Sequence, residues 1–221
     1  MAEFFAHQMN GMLFTTNGWV QSFGSRCVRL PIIWTNIARP KSVTVREFEV
    51  AQGLTVKPAK GMLTGPITIL NWSFPREDIF RKAQAFQLAH CIHREIQDLE
   101  RAGCSVIQMD EPALRKGMLL GTEAKDVHLK WAVDAFCLVT DMAHSLTQIH
   151  THMCHCKFKA CMEAIDLMDA DVKSIENARN GNETLEAFVA IDHKRGFGPG
   201  VCDIHSPVAP PLALMENKIL S

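Results

Sequence analysis

The sequence contains no tyrosine, against twelve phenylalanines, so no part of its chemistry uses a phenol hydroxyl. It has no excess of charge of either sign. Lys and Arg number 23 and Asp and Glu 24, for a net charge of -1. That balance argues against a nucleic-acid or membrane-surface partner. No apolar run approaches the roughly 20 residues that span a bilayer. The N-terminal stretch MAEFFAHQMNGMLF lacks a basic region and a clean apolar core, so no signal peptide is predicted and a cytoplasmic location is expected. Repeats and low-complexity tracts are absent. A Gly-rich phosphate fingerprint is absent too: GFGPG (196–200) lacks a strand–turn–helix context and reads as turn chemistry.

Cysteine is present but thinly spread, eight in 221 residues. A secreted disulfide scaffold is shorter and denser. Most of these thiols are therefore expected to be reduced and buried as small hydrophobes. The group at 154, 156 and 161 stands apart.

What the chain does have is alternation. RLPIIW (29–34) precedes TVREFEVAQGL (44–54), and AKGMLTG (59–65) precedes an amphipathic stretch from about 76 to 102. CSVIQMD (104–110) precedes a helical pattern over 123–143, and LTQIHTH (146–152) one over 157–168. ADVKSIE (170–176) precedes NETLEAFVA (182–190), and FGPGVCDIH (197–205) closes the series. Short apolar strands alternating with helices predict a parallel sheet with helical crossovers. Nearly every strand run ends in a chemically capable residue: Thr64, Asp110, His152, Glu176, His205. Loading the C-terminal ends of several strands is the habit of a (β/α)8 barrel. Five or six units are visible where a full barrel has eight, so the predicted class is α/β, an incomplete (β/α)8 barrel.

In QIHTHMCHC (148–156), His150, His152, Cys154 and Cys156 fall on alternate positions. Side chains two apart in a strand share a face, so His152 and Cys154 can converge on one ion. Imidazole and thiolate form a zinc-type ligand pair, and Glu176, at the end of the next strand, can reach the same place. The alternative is a buried histidine and cysteine in the core. Asp110, in IQMDEPALRKG, suits a substrate ammonium or general-base work; the alternative is a helix N-cap with Pro112 in the first turn. Trp72 lies in a polar loop and can stack on a flat heterocycle, or else be core. Asp203 and His205 form a proton-handling pair or a structural histidine. Arg26 and Cys27, in GSRC, are candidates for anion contact.

KGMLTGPITILNWSFPRED, IQMDEPALRKG, TQIHTHMC, DADVKSIE and GPGVCDIHSP resemble, in order and spacing, motifs of the C-terminal domain of the cobalamin-independent methionine synthases. These are the 5-methyltetrahydropteroyltriglutamate–homocysteine S-methyltransferases. The resemblance runs to about residue 207, and implies one domain over 1–207 and a divergent tail over 208–221. It implies a (β/α)8 barrel that holds zinc and no cobalamin. It also implies methyl transfer from 5-methyltetrahydropteroylpolyglutamate to homocysteine, giving methionine. Motif by motif, it makes His152, Cys154 and Glu176 zinc ligands and Asp110 the partner of the amino-acid ammonium. Trp72, Arg26 and Cys27 become folate contacts, and His205 the proton donor.

Several positions depart from that pattern. The family places a fourth zinc ligand, a cysteine in an NPDCGLK-type motif, after DIHSP; here VAPPLALMENKILS follows. Cys202 and Cys156 are the nearest substitutes. Lys116 stands where the family has an acidic residue, and GVCD has cysteine in place of tyrosine. ENARNG and CKFKACMEA also differ from family stretches. The expectation is a copy truncated at both ends. A second reading is a non-catalytic remnant or an incomplete gene model. A third, another zinc-dependent thiol alkyltransferase, runs against the retained Trp72 and Arg26 motifs.

Overall fold

Four short apolar runs and a Gly/Pro-rich one become the five strands of one parallel sheet. The structure, a computed structural model, describes residues 1–22, 25–117, 122–154, 161–178, 183–203 and 206–220. It begins with α1 (Ala2–His7) and β1 (Asn10–Leu13), a hairpin of β2 (Trp19–Gln21) and β3 (Cys27–Arg29), then β4 (Ile32–Ala38) and α2 (Val45–Gly53). The parallel sheet follows, with strands β5 (Gly61–Thr64), β6 (Val106–Asp110), β7 (Gln148–Met153), β8 (Val172–Glu176) and β9 (Gly196–Gly200). Their order in space is their order in sequence, the arrangement of adjacent staves in a barrel wall. Between them run α3 (Pro66–Asn71), α4 (Arg81–Arg101), α5 (Thr122–Thr140), α6 (Met162–Leu167) and α7 (Glu183–Ala190), and α8 (Leu212–Leu220) comes last.

The strands have two different faces. Leu63, Ile107, Met109, Ile149, Met153 and Ile175 are buried, in one cluster with Leu88, Ile92, Ile96 and Leu99 of α4 and Phe136 and Val139 of α5. Those α4 residues recur at helical spacing, so a single apolar stripe faces the sheet. The alternate positions Gln108, Asp110, His150, His152, Ser174 and Glu176 are only half-buried. This second face is the inner face of the wall, and toward the C-terminal ends of β6, β7 and β8 its side chains are polar.

Two sequence expectations change. RLPIIW does not join the parallel sheet: β4 pairs antiparallel with β1, and one parallel bridge, Ile32 to Phe74, is its other strand contact. Apolar composition marks a strand without naming its partner. GFGPG, read as turn chemistry, is strand β9. Among the described residues it pairs with β8 alone, and an edge position tolerates Pro199, which has no N–H to donate. A Cβ at Gly196 would lie 2.9 Å from Val172 Cγ2, so the close approach to β8 needs glycine. Residues 212–220, in the stretch read as a divergent tail, form α8; none of its residues is buried, and Lys218 Nζ donates to the Ala178 carbonyl at 2.8 Å.

Candidate active site

The register decides which chemistry meets. Thr64 pairs with Asp110, Asp110 with His152, and His152 with Ser174. Parallel partners in register point to one face, so Asp110 and His152 stand side by side at the C-terminal ends of β6 and β7. Met153 pairs with Ile175, which makes Cys154 and Glu176 the next residues along adjacent strands. The backbone carries the row past the strand ends: Gly65 N–H donates to the Asp110 carbonyl at 2.9 Å and Glu111 N–H to the His152 carbonyl at 3.0 Å.

Asp110 Oδ1 accepts from Gln108 Nε2 at 2.8 Å. Burial pushes the Asp110 carboxyl up, while the Gln108 hydrogen bond and the charges of His152 and Lys60 pull it down. His152 Nδ1 lies 3.1 Å from Ser174 Oγ. Burial pushes the Cys154 thiol up, and the carboxylates of Asp110 and Glu176 push it further. Cys154 therefore sits in an electronegative pocket that favours its neutral form unless a cation joins it. In donor type and in shared face, His152, Cys154 and Glu176 fit zinc. They are not closed around one point: among the described residues no three His, Cys, Asp or Glu side chains stand as a metal-holding group.

The other candidates lie around this row. Trp72 caps the C-terminus of α3, the helix that follows β5, and is half-buried. The Lys116 ammonium lies 3.3 Å from its ring centroid, a close cation–π contact, and burial pushes Lys116 down. Arg26 and Cys27 belong to the β2–β3 hairpin and are exposed. Arg26 contributes its carbonyl to a bond from Ser22 N–H at 2.8 Å, and among the described residues no hydrogen bond ties either side chain to the parallel sheet. His205 and Cys156 lie outside the described residues, while Cys202 is exposed.

The helix-capping alternative for Asp110 goes instead to its neighbour. Glu111 is fully buried and accepts from Ile67 N–H at 3.0 Å, Thr68 N–H at 2.7 Å and Thr68 Oγ1 at 2.7 Å. It caps the first turn of α3, whose N-cap, Gly65, has no side chain of its own. A Cβ at Gly65 would lie 2.2 Å from Glu111 Oε1, so glycine is required there. Burial holds the Glu111 carboxyl up at about 7 against the pull of these donors. Among the described residues Thr64 Oγ1 is buried without a hydrogen-bond partner. The sequence reading missed Glu111 as a structural anchor; the following Pro112 pointed to a cap, but the capped helix lies 44 residues upstream.

A family model described as the catalytic domain of cobalamin-independent synthase matches residues 1–221. The chain belongs to that family. Curated relatives named 5-methyltetrahydropteroyltriglutamate–homocysteine methyltransferase include those of Trichodesmium erythraeum, 56% identical over 219 residues, and Erwinia tasmaniensis, 50% identical over 220 residues. These alignments cover 99% and 100% of this chain and 29% of each relative, so the chain spans under a third of the length of the curated relatives it matches. Among solved structures, a B12-independent methionine synthase from Shewanella sp. W3-18-1 superposes with a TM-score of 0.81 at 19% identity, covering 98% of this chain and 65% of that one. That likeness establishes the cobalamin-independent synthase fold for this chain, five adjacent parallel strands of a barrel wall with their helices. No helix among the described residues is long and apolar enough to cross a membrane.

Proposed function

We propose that this chain carries a methyl-transfer site, moving a methyl group from 5-methyltetrahydropteroylpolyglutamate to homocysteine to give methionine. One observation supports this most. Over a chain matched from end to end by the family, Asp110, His152, Cys154 and Glu176 occupy one face at the ends of three adjacent strands. Asp110 binds the ammonium of the amino acid and so aims its sulfur along the row toward Cys154 and Glu176. His152, Cys154 and Glu176 would hold zinc, with Ser174 fixing the His152 ring through Nδ1 and leaving Nε2 for the metal. Zinc, when bound, favours the thiolate form of a substrate thiol whose ordinary pKa is about 8.5. Trp72 stacks on the pterin, and Arg26 and Cys27 contact the folate. His205 gives a proton to N5 of the departing folate amine, a poor leaving group without it. The free thiols among the described residues support a reducing, cytoplasmic setting.

A second reading, a non-catalytic member of the family, is favoured by the Lys116 ammonium seated on the Trp72 ring. Elemental mass spectrometry of the purified chain, beside His152→Ala, separates the two. The methyltransferase reading expects about one zinc per chain, lost in the variant, and methionine formation from the two substrates. A folded chain with no zinc and no turnover would establish the second reading.

A further inference from the structure

One layer below Asp110 and His152, toward the N-terminal ends of the strands, the inner face carries a second set of polar side chains. Lys60 Nζ donates to Gln108 Oε1 at 3.0 Å and to His150 Nδ1 at 3.1 Å. Gln108 and His150 are partners in register. His150 Nε2 lies 2.9 Å from Gln148 Oε1.

An ammonium has donors and no acceptor, and that settles the direction of every bond in the set. Gln108 has to turn its oxygen to Lys60, so its Nε2 points at Asp110, where it donates at 2.8 Å. The amide orientation, ordinarily ambiguous between oxygen and nitrogen, is fixed by its neighbour. His150 accepts at Nδ1, so its neutral ring carries the proton on Nε2 and donates to Gln148. Among the described residues Asp110 accepts one side-chain hydrogen bond, at Oδ1 from Gln108, which leaves Oδ2 for another partner.

We propose that Gln108, held by Lys60, is the positioning residue that presents Asp110 to the ammonium of an α-amino acid. Gln108 ties down one carboxylate oxygen and so aims the other; Lys60 prevents the amide from flipping and setting its own oxygen against the carboxylate. Neither side chain touches the substrate. The inference rests on the reading of Asp110 as the ammonium anchor.

The test is calorimetric titration of the full chain with L-methionine and with 4-(methylthio)butanoate, the same molecule without its amino group. Gln108→Met is expected to weaken L-methionine by about tenfold, the scale of one lost hydrogen bond to a charged group. It should leave 4-(methylthio)butanoate unchanged. Lys60→Met should give a several-fold loss with the same selectivity, and Lys60→Arg should recover most of it. General damage to the site would weaken both ligands alike, and that result, or no change for either, would overturn the proposal. If the wild-type chain itself binds L-methionine no better than 4-(methylthio)butanoate, the anchor reading of Asp110 fails. The geometry is then judged by side-chain amide NMR. Slowed proton exchange at Gln108 Nε2 that is lost in Lys60→Met would uphold the Lys60-held orientation; identical exchange in both would end it.

Discussion

Asp110 and Glu111 are adjacent carboxylates that strand β6 sends to opposite sides of the sheet. Glu111 turns into the core, is fully buried, and accepts from three donors at the first turn of α3. Asp110 turns to the inner face, is half-buried, and accepts from the Gln108 side chain. The alternation of side chains along an extended chain separates a helix-capping acid from one on the inner face with no residue between them. The donor count distinguishes their work. A carboxylate surrounded by backbone N–H groups holds a fold together, whereas one with acceptor capacity left over can take a ligand.

The largest effect that would sharpen this contrast is Glu111→Ala. It leaves two backbone N–H groups and a hydroxyl buried without an acceptor, so a loss of roughly 3–4 kcal/mol in urea unfolding is expected. A loss below roughly 1 kcal/mol would mean that α3 does not depend on this cap.

The same side chain predicts a pH dependence. The Glu111 carboxyl is raised from 4.5 to about 7 in the folded chain. Between those values the native state keeps a proton that the unfolded chain has released, so the contribution is present below about pH 4.5 and is lost as pH rises to about 7. It amounts to on the order of 3 kcal/mol. Glu111→Gln should remove that slope relative to wild type. Parallel stability–pH curves for the two proteins would show that Glu111 is ionised throughout.

Asp110→Asn should behave in the opposite manner. Stability is expected to change by less than about 1 kcal/mol, because one side-chain hydrogen bond is at stake. Affinity for L-methionine should fall at least about tenfold, with the charge-assisted bond to the ammonium. A large drop in melting temperature would erase the distinction between the two acids.

The smallest expected effect is at Trp72. Lys116→Ala clears the ring face that a flat heterocycle needs, so a pterin should bind roughly two- to fivefold more tightly in a fluorescence titration, the scale of an exposed cation–π contact. Weaker binding in the variant would show instead that Lys116 assists the ligand.

Much of this was legible in the chain itself. The runs AKGMLTG, CSVIQMD, LTQIHTH and ADVKSIE became β5 to β8 within a few residues, since an apolar run bounded by helical patterns has few other uses in an α/β fold. Period-two spacing alone put His152 and Cys154 on one face. Other features depended on contacts between distant segments. RLPIIW was recognisable as a strand, but its antiparallel pairing with β1 was not. GFGPG looked like a turn because glycine and proline usually break strands, and its place beside β8 made it a strand.

By itself the sequence determined the family, the strand–helix alternation and the identity of the candidate site residues. Those follow from local patterns: periodicity, spacing and motif order. The tertiary structure decided which carboxylate caps a helix and which faces the site, because strand register and a helix start 44 residues away settle where Asp110 and Glu111 point. It also decided that Lys60 directs Gln108 onto Asp110 and that Lys116 covers Trp72. Hydrogen bonds and ring contacts are short-ranged, and segments far apart in the chain come within their reach only once the sheet has formed.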